Sequence, residues 1–332
     1  MTFSDKEQIA RVSDIFRENF RMTRLFAAYL ENCPTLITKE MIDALTEDGG
    51  IDKKDAIIAL LSEAFGLDSE KPSDRRFIRE YLYPSVRLLD KKRYTENPYY
   101  KTVRIENIKD GDWEFKTEVY PPYRAMICDD MILNEDFSEV APLGFFEEEF
   151  SFPAVLECGN EWMTLSPVDI DTCDEAIEAA RGKVVTFGLG LGYFAFMVSG
   201  KEEVESITVV EKSEKVISLF KKHILPQFPC RDKVKIVCAD AFEYAERIMP
   251  GEKFDHAFVD TWRDSSDGAP MMERMRELEH LSPECEFRYW IKNHLISRLR
   301  AAKYEEMQIL MQLNDEAAPK SYKEFKEALL GV

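Results

Sequence analysis

Val184-Val185-Thr186-Phe187-Gly188-Leu189-Gly190-Leu191-Gly192-Tyr193 is an uncharged apolar run that breaks into three glycines at alternate positions. The first four residues read as a buried strand, the glycines as a turn, and Ala195, Phe196 and Val198 as the inner face of an amphipathic helix. Glycine lets the backbone turn sharply and lets a ligand lie against main chain. The N-terminus of the following helix adds free N–H groups and positive potential. Tyr193 stands where a GxGxxG fingerprint has its third glycine, which argues against NAD.

Downstream the pattern repeats. Apolar strands are expected at 184–187, 207–210, Val234–Cys238, 254–259 and 287–291, with helical periodicity between them. Alternation of this kind implies βαβ units and a parallel sheet. Strands with so little polarity are expected to be covered on both faces. Glu211 closes the second strand and Lys212 follows it. Asp240 and Ala241 follow the third, and Asp260 follows the fourth. Three successive strands thus finish in a carboxylate on one edge of the sheet, the edge where open α/β sheets bind ligands. An acid about 20 residues beyond the glycine turn is placed to meet ribose hydroxyls.

In order and spacing, residues 168–332 resemble the class I S-adenosylmethionine-dependent methyltransferases. The resemblance implies a Rossmann-like α/β domain with S-adenosylmethionine as cofactor. Gly188, Leu189, Gly190, Gly192 and Tyr193 would lie against it, with Glu211 and Lys212 at the ribose and Asp240 and Ala241 at the adenine. Asp260 would touch the cofactor and act as the catalytic residue, holding or deprotonating the acceptor. One departure is that Thr186 occupies the place of the family motif's first acid. The tail after the fifth strand is short, so the family's terminal β-hairpin is expected to be reduced, with 304–310 as a remaining strand. Within the superfamily the layout is similar to the spermidine synthase branch, which also sets a small β unit before the cofactor domain. Asp264-Ser265-Ser266-Asp267-Gly268-Ala269-Pro270 is similar to that branch's gate but lies four residues beyond Asp260. Methyl transfer to a small-molecule acceptor is the function implied. Aminopropyl transfer from the decarboxylated cofactor and non-catalytic cofactor binding are the alternatives.

Two further segments precede this domain. Residues 1–98 read as a helical domain. Ile9, Val12, Phe16 and Phe20 recur at helical spacing up to Pro34. Asp52 is a helix N-cap before Ile57, Leu60, Leu61, Ala64 and Phe65, with Gly66 as a stop, and short helices are expected around Pro72 and Pro84. Residues 99–167 read as a small β domain. It has strands at 101–105, Trp113–Tyr120, 152–156 and 161–165, and hairpin turns at Asp110-Gly111-Asp112 and Cys158-Gly159-Asn160.

The other notable residues have plainer readings beside functional ones. His256 is expected to be a buried, hydrogen-bonded core histidine. Trp262 would either line the substrate pocket or pack beneath the loop. Met271, Met272 and Met275 read as helix packing. Arg75, Arg76, Arg79, Arg87, Lys91, Lys92 and Arg93 read as a solvated basic helix face, and Glu147, Glu148 and Glu149 as a solvated loop.

The 332 residues are 45% hydrophobic and 12% aromatic, enough for a large core. The formal charge is −19, of which −10 falls in residues 99–167. That balance disfavours duplex nucleic acid, whose binding rests on phosphate neutralisation, and an anionic membrane surface. No window approaches the ~18 apolar residues of a membrane span, and no secretory signal is visible at the N-terminus. Seven scattered cysteines without a CxxC fit reduced thiols. Four histidines without an HxxxH give no expectation of a metal site. The expected location is cytoplasmic. Homo-oligomerisation is left open.

Overall fold

The computed structural model describes residues 1–48, 50–105 and 108–332. They form two compact units. One comprises Met1–Leu89, Pro121–Glu147 and Asn293–Val332; the other comprises Asp90–Tyr120 and Glu148–Lys292. The consecutive segments 1–98, 99–167 and 168–332 are therefore regrouped, and strand pairing is the reason. Within residues 99–167, Leu143–Phe145 pairs with Val86–Leu88 of the helical unit, whereas Trp113–Tyr120 pairs with Phe150–Glu157 of the other.

The first unit is built on the helix Phe3–Asn32. Thr2 and Asp5 form a capping box at its start, and Ile9, Val12, Phe16, Met22, Phe26 and Tyr29 line its buried face. Asp52 caps Lys53–Ala64 by accepting from the Asp55 N–H at 2.8 Å, and Gly66 follows in the left-handed region at φ +65°. Prolines open Pro72–Phe77 and Tyr83–Ser85. Residues 304–310 are not a strand. They lie in the helix Lys292–Leu313, where Tyr304 stacks on Phe16 at 4.2 Å between ring centroids. Burial of that ring, with Met307 and Phe325 beside it, holds the segment helical.

The second unit contains two sheets. Strands β1 (Ile108–Asp110), β2 (Trp113–Tyr120), β3 (Phe150–Glu157) and β4 (Asn160–Thr164) form an antiparallel meander. Cys158 and Gly159, at φ +51° and +81°, make the two-residue turn between β3 and β4. The expected strand at 101–105 is absent. Asn97 accepts from the Tyr99 N–H at 2.9 Å and Pro98 sits at the first helical position, so Pro98–Thr102 is helical despite its strand-like composition.

The larger sheet is wholly parallel. Strands β5 (Gly182–Phe187), β6 (Val204–Glu211), β7 (Val234–Cys238), β8 (His256–Val259) and β9 (Glu286–Tyr289) lie in the order β7-β6-β5-β8-β9. This is a Rossmann-like α/β arrangement. The central strands are buried, with Val184, Val185 and Phe187 at 0% exposure. Burying each such side chain contributes roughly 1.5–3 kcal/mol. Helices α1 (Tyr193–Ser199), α2 (Glu214–His223), α3 (Ala241–Arg247) and α4 (Ser265–Leu278) alternate with the strands. The first of these is buried almost all round instead of amphipathic, since Tyr193, Phe194, Ala195, Phe196, Val198 and Ser199 are all buried. Among the described residues, no helix is long and apolar enough to cross a membrane.

Gly188→Ala is expected to cost more stability than Gly159→Ala. Both glycines are at positive φ, which strains an L residue by ~1–2 kcal/mol. At Gly159 a Cβ would meet open space, but at Gly188 it would lie 1.8 Å from the Asp260 carbonyl oxygen, adding ~1–3 kcal/mol of overpacking. Denaturant unfolding of the two variants measures the difference. Equal losses would contradict the close contact.

Candidate functional site

The glycine turn runs from the end of β5 into α1, with Gly188, Gly190 and Gly192 at φ +98°, +49° and +75°. The three glycines answer to different demands. A Cβ at Gly188 would strike the Asp260 backbone, and one at Gly192 would lie 2.4 Å from the Phe220 ring. At Gly190 it would meet only the end of the Met163 side chain, at 3.1 Å. Packing therefore dictates glycine at 188 and 192, while at 190 the backbone conformation does and the surroundings are open.

A cleft of about 440 Å³ opens over the turn at the carboxyl edge of the parallel sheet. Gly188, Leu189, Gly190, Glu211, Lys212, Asp240, Ala241, Asp260 and Trp262 all line it. Gly192 and Tyr193 do not. Tyr193 is 5% exposed, its hydroxyl accepts from Asn97 Nδ2 at 2.9 Å, and its ring meets Tyr99 edge-on. It begins a helix and packs there, and with Gly192 it lines a small chamber that adjoins the cleft. The opposite wall comes from the antiparallel sheet as Trp113, Trp162 and Met163, with the two indoles T-shaped at 5.2 Å. These three residues, and Met271 of α4, were not foreseen. Apolar strand residues carry no sign of which face meets a cleft until the register is known.

Glu211 braces the turn. Its carboxylate accepts from the Leu189 N–H at 3.3 Å and the Ser213 N–H at 2.8 Å. Asp240 Oδ1 accepts from the Phe242 and Glu243 N–H groups at 3.0 and 3.2 Å and caps α3, while its Oδ2 makes no hydrogen bond among the described residues. The Asp260 carboxyl has no hydrogen-bond partner among the described residues. Burial first, and the nearby Asp169 second, raise its pKa from 3.8 to about 8. Asp169 Oδ2 accepts from the Ser166 N–H at 2.7 Å and the Ser166 hydroxyl at 2.8 Å, yet burial still raises its pKa to about 6. Trp262 is 6% exposed and stacks on Tyr289, and its Nε1 and the Thr261 Oγ1 have no partner among the described residues. Trp262 thus packs beneath the loop and also borders the cleft.

Other sequence features resolve into local structure. Asp264 accepts from the Ser266 N–H at 2.7 Å, and Asp267 accepts from the Asp264 N–H at 3.1 Å, so the gate-like segment is the capping box of α4. His256 is buried at the start of β8, at the opposite end of that strand from Asp260. Its Nε2 lacks a partner, contrary to the expected hydrogen-bonded histidine, and desolvation lowers its pKa. Met272 and Met275 are core residues. Arg75, Arg76, Arg79, Arg87, Lys91 and Arg93 each lie within 4.0 Å of a carboxylate, so six of the seven residues of the basic cluster, all but Lys92, are in ion pairs among the described residues.

No protein-family model matches the chain. No curated protein matches it. Among solved structures, it is similar to a precorrin 8w decarboxylase of Methanobacterium thermoautotrophicum, at 20% identity and a TM-score of 0.27 over 41% of this chain. It is also similar to a protein of Pyrococcus horikoshii provisionally described as a transferase, at 15% identity and a TM-score of 0.27 over 36% of this chain. The chain spans 66% and 44% of the lengths of those two proteins. Both likenesses are distant, and the Rossmann-like assignment rests on the strand order itself.

The folded protein holds the Asp260 proton more tightly than the unfolded chain does, so ionising Asp260 opposes folding. The cost sets in above the ordinary carboxylate range, grows until the pH reaches about 8, and stays constant beyond that. Asp260→Asn is expected to raise the melting temperature more at about pH 8 than at about pH 5. Thermal melts at the two pH values check this, and an equal gain at both would contradict the desolvated, raised carboxyl.

Proposed function

We propose that the protein is an S-adenosylmethionine-dependent methyltransferase acting on a small-molecule acceptor. The observation that carries this reading is the convergence of residues 188–190, Glu211, Asp240 and Asp260 in one cleft at the ends of adjacent parallel strands. The residues fit the cofactor. The cleft volume of about 440 Å³ lies within the ~300–1,000 Å³ of small-molecule sites. Gly190 leaves main chain accessible, Glu211 presents a carboxylate for ribose hydroxyls, and Asp240 Oδ2 is a free acceptor beside Ala241. When bound, S-adenosylmethionine supplies an electrophilic methyl group on a sulfonium.

The chain's part is to orient and to move a proton. Asp260 borders the place where the acceptor would sit and either holds its nucleophilic group or takes its proton. A carboxyl whose pKa is raised towards neutrality is a stronger base once ionised. Trp113, Trp162 and Met163 would keep water from the opposite side. An open cleft beside Asp260 favours an enzyme over a non-catalytic binding module. Aminopropyl transfer is less well supported, because Asp264 and Asp267 are engaged in capping α4.

Calorimetry with S-adenosylhomocysteine tests the reading. Glu211→Gln is expected to weaken binding by tenfold or more, on the order of 1.4 kcal/mol. Failure of the unaltered protein to bind would overturn the cofactor assignment. Turnover of putrescine with decarboxylated S-adenosylmethionine would replace methyl transfer by aminopropyl transfer.

A further inference from the structure

A second cavity, of about 30 Å³, adjoins the cleft at Met163, residues 188–190 and Asp260. Its remaining lining includes Asp169, Cys173 and Thr186. One water-sized group needs ~10–15 Å³, so the chamber admits a group of two or three heavy atoms and excludes a ring. No lysine or arginine lines it. Two carboxylates nevertheless face it. Asp169 is 8% exposed, and its Oδ2 carries three hydrogen bonds while its Oδ1 carries none among the described residues. Asp260 stands where chamber and cleft meet, and its carboxyl has no hydrogen-bond partner among the described residues.

A carboxylate oxygen that faces a narrow, poorly solvated chamber without a donor or counter-charge is costly. The group that would satisfy both acids in so small a space is compact, positively charged and rich in donors. A primary ammonium, with three N–H donors and no acceptor, is such a group. The neighbouring lining is neutral: Thr186 offers a hydroxyl, and burial keeps the Cys173 thiol protonated. Burial inclines both carboxyls to hold protons, Asp169 adds to this at Asp260 and Glu161 adds to it at Asp169, and a bound cation would relieve that.

We infer that this chamber is the ammonium subsite of the cleft, and that Asp169, from the short helix Pro167–Asp171, is the acid that receives the amino end of the cofactor's aliphatic tail, with Asp260 at its mouth. The inference rests on the cofactor reading above. It places the acid on a helix ahead of the sheet, outside the glycine turn, where Thr186 provides none.

The test is binding of two nucleosides by calorimetry. S-adenosyl-3-thiopropylamine carries the amine without a carboxylate, and 5′-methylthioadenosine carries neither. The unaltered protein is expected to prefer the amine by tenfold or more. Asp169→Asn should reduce that preference to within about twofold while leaving 5′-methylthioadenosine affinity unchanged. Cys173→Leu, which fills the chamber from a different wall, should do the same and guards against a folding defect at the capping box. If 5′-methylthioadenosine binds but the amine is not preferred, the subsite is wrong and the cofactor reading survives. If Asp169→Asn folds and keeps the full preference, another residue holds the amine. If neither nucleoside binds the unaltered protein, the cofactor reading falls and the inference falls with it.

Discussion

The close approach of Gly188 to the backbone of Asp260 governs the geometry of the second unit. The Asp260 N–H donates to the Phe187 carbonyl at 2.9 Å, and Gly188 lies against the Asp260 carbonyl with no room for a Cβ. This contact pins the end of β5 to the end of β8. On its other side β5 pairs with β6, and the Gly188 N–H donates to the Val210 carbonyl at 2.9 Å. Chain connections therefore leave the central strand in opposite directions along the sheet. A crevice opens at that switch point for topological reasons alone. The cleft and the small chamber beside it both lie over this contact.

Around that crevice the protein accepts unfavourable electrostatics. Asp260 and Asp169 are carboxyls in a poorly solvated place, and both titrate well above their ordinary range. Thr261 and Trp262 leave polar atoms without partners along the same wall. Elsewhere the acids are used economically: Asp52, Asp240 and Asp264 each cap a helix, and Glu211 ties the turn to the loop after β6. Among the described residues of this unit, His223, His256, Ser282 and Arg288 also leave buried polar atoms without partners, so the cost is not confined to the crevice. The stability lost there is returned by the central strands β5, β6 and β8, which are largely buried, whereas the edge strands β7 and β9 are only partly covered, against the expectation of burial on both faces.

Much of this was legible because the signals are local. A strand that passes between two helical layers must be apolar throughout, so its composition alone reports double burial. A turn that needs three positive φ angles must be glycine-rich. The N-caps at Asp52 and Asp240 depend on residues two or three positions away. Where local signals competed, composition misled. Residues 101–105 have strand-like side chains, but Asn97 and Pro98 just upstream start a helix. Tyr304 and its neighbours are compatible with a strand, yet stacking on Phe16, almost three hundred positions away, holds them in a helix.

By itself the sequence determined the alternation of strands and helices, the glycine turn and the acids at three strand ends, because each follows from a few adjacent residues. Only the tertiary structure decided how those ends are used. It regrouped the middle segment between two units through strand pairing. It set Gly192 and Tyr193 at the small chamber instead of the main cleft, and it brought Trp113, Trp162 and Met163 across the opening. It also set Asp169 beside Asp260. Those outcomes depend on register and on contacts between residues far apart in the chain, and no window of neighbouring residues encodes them.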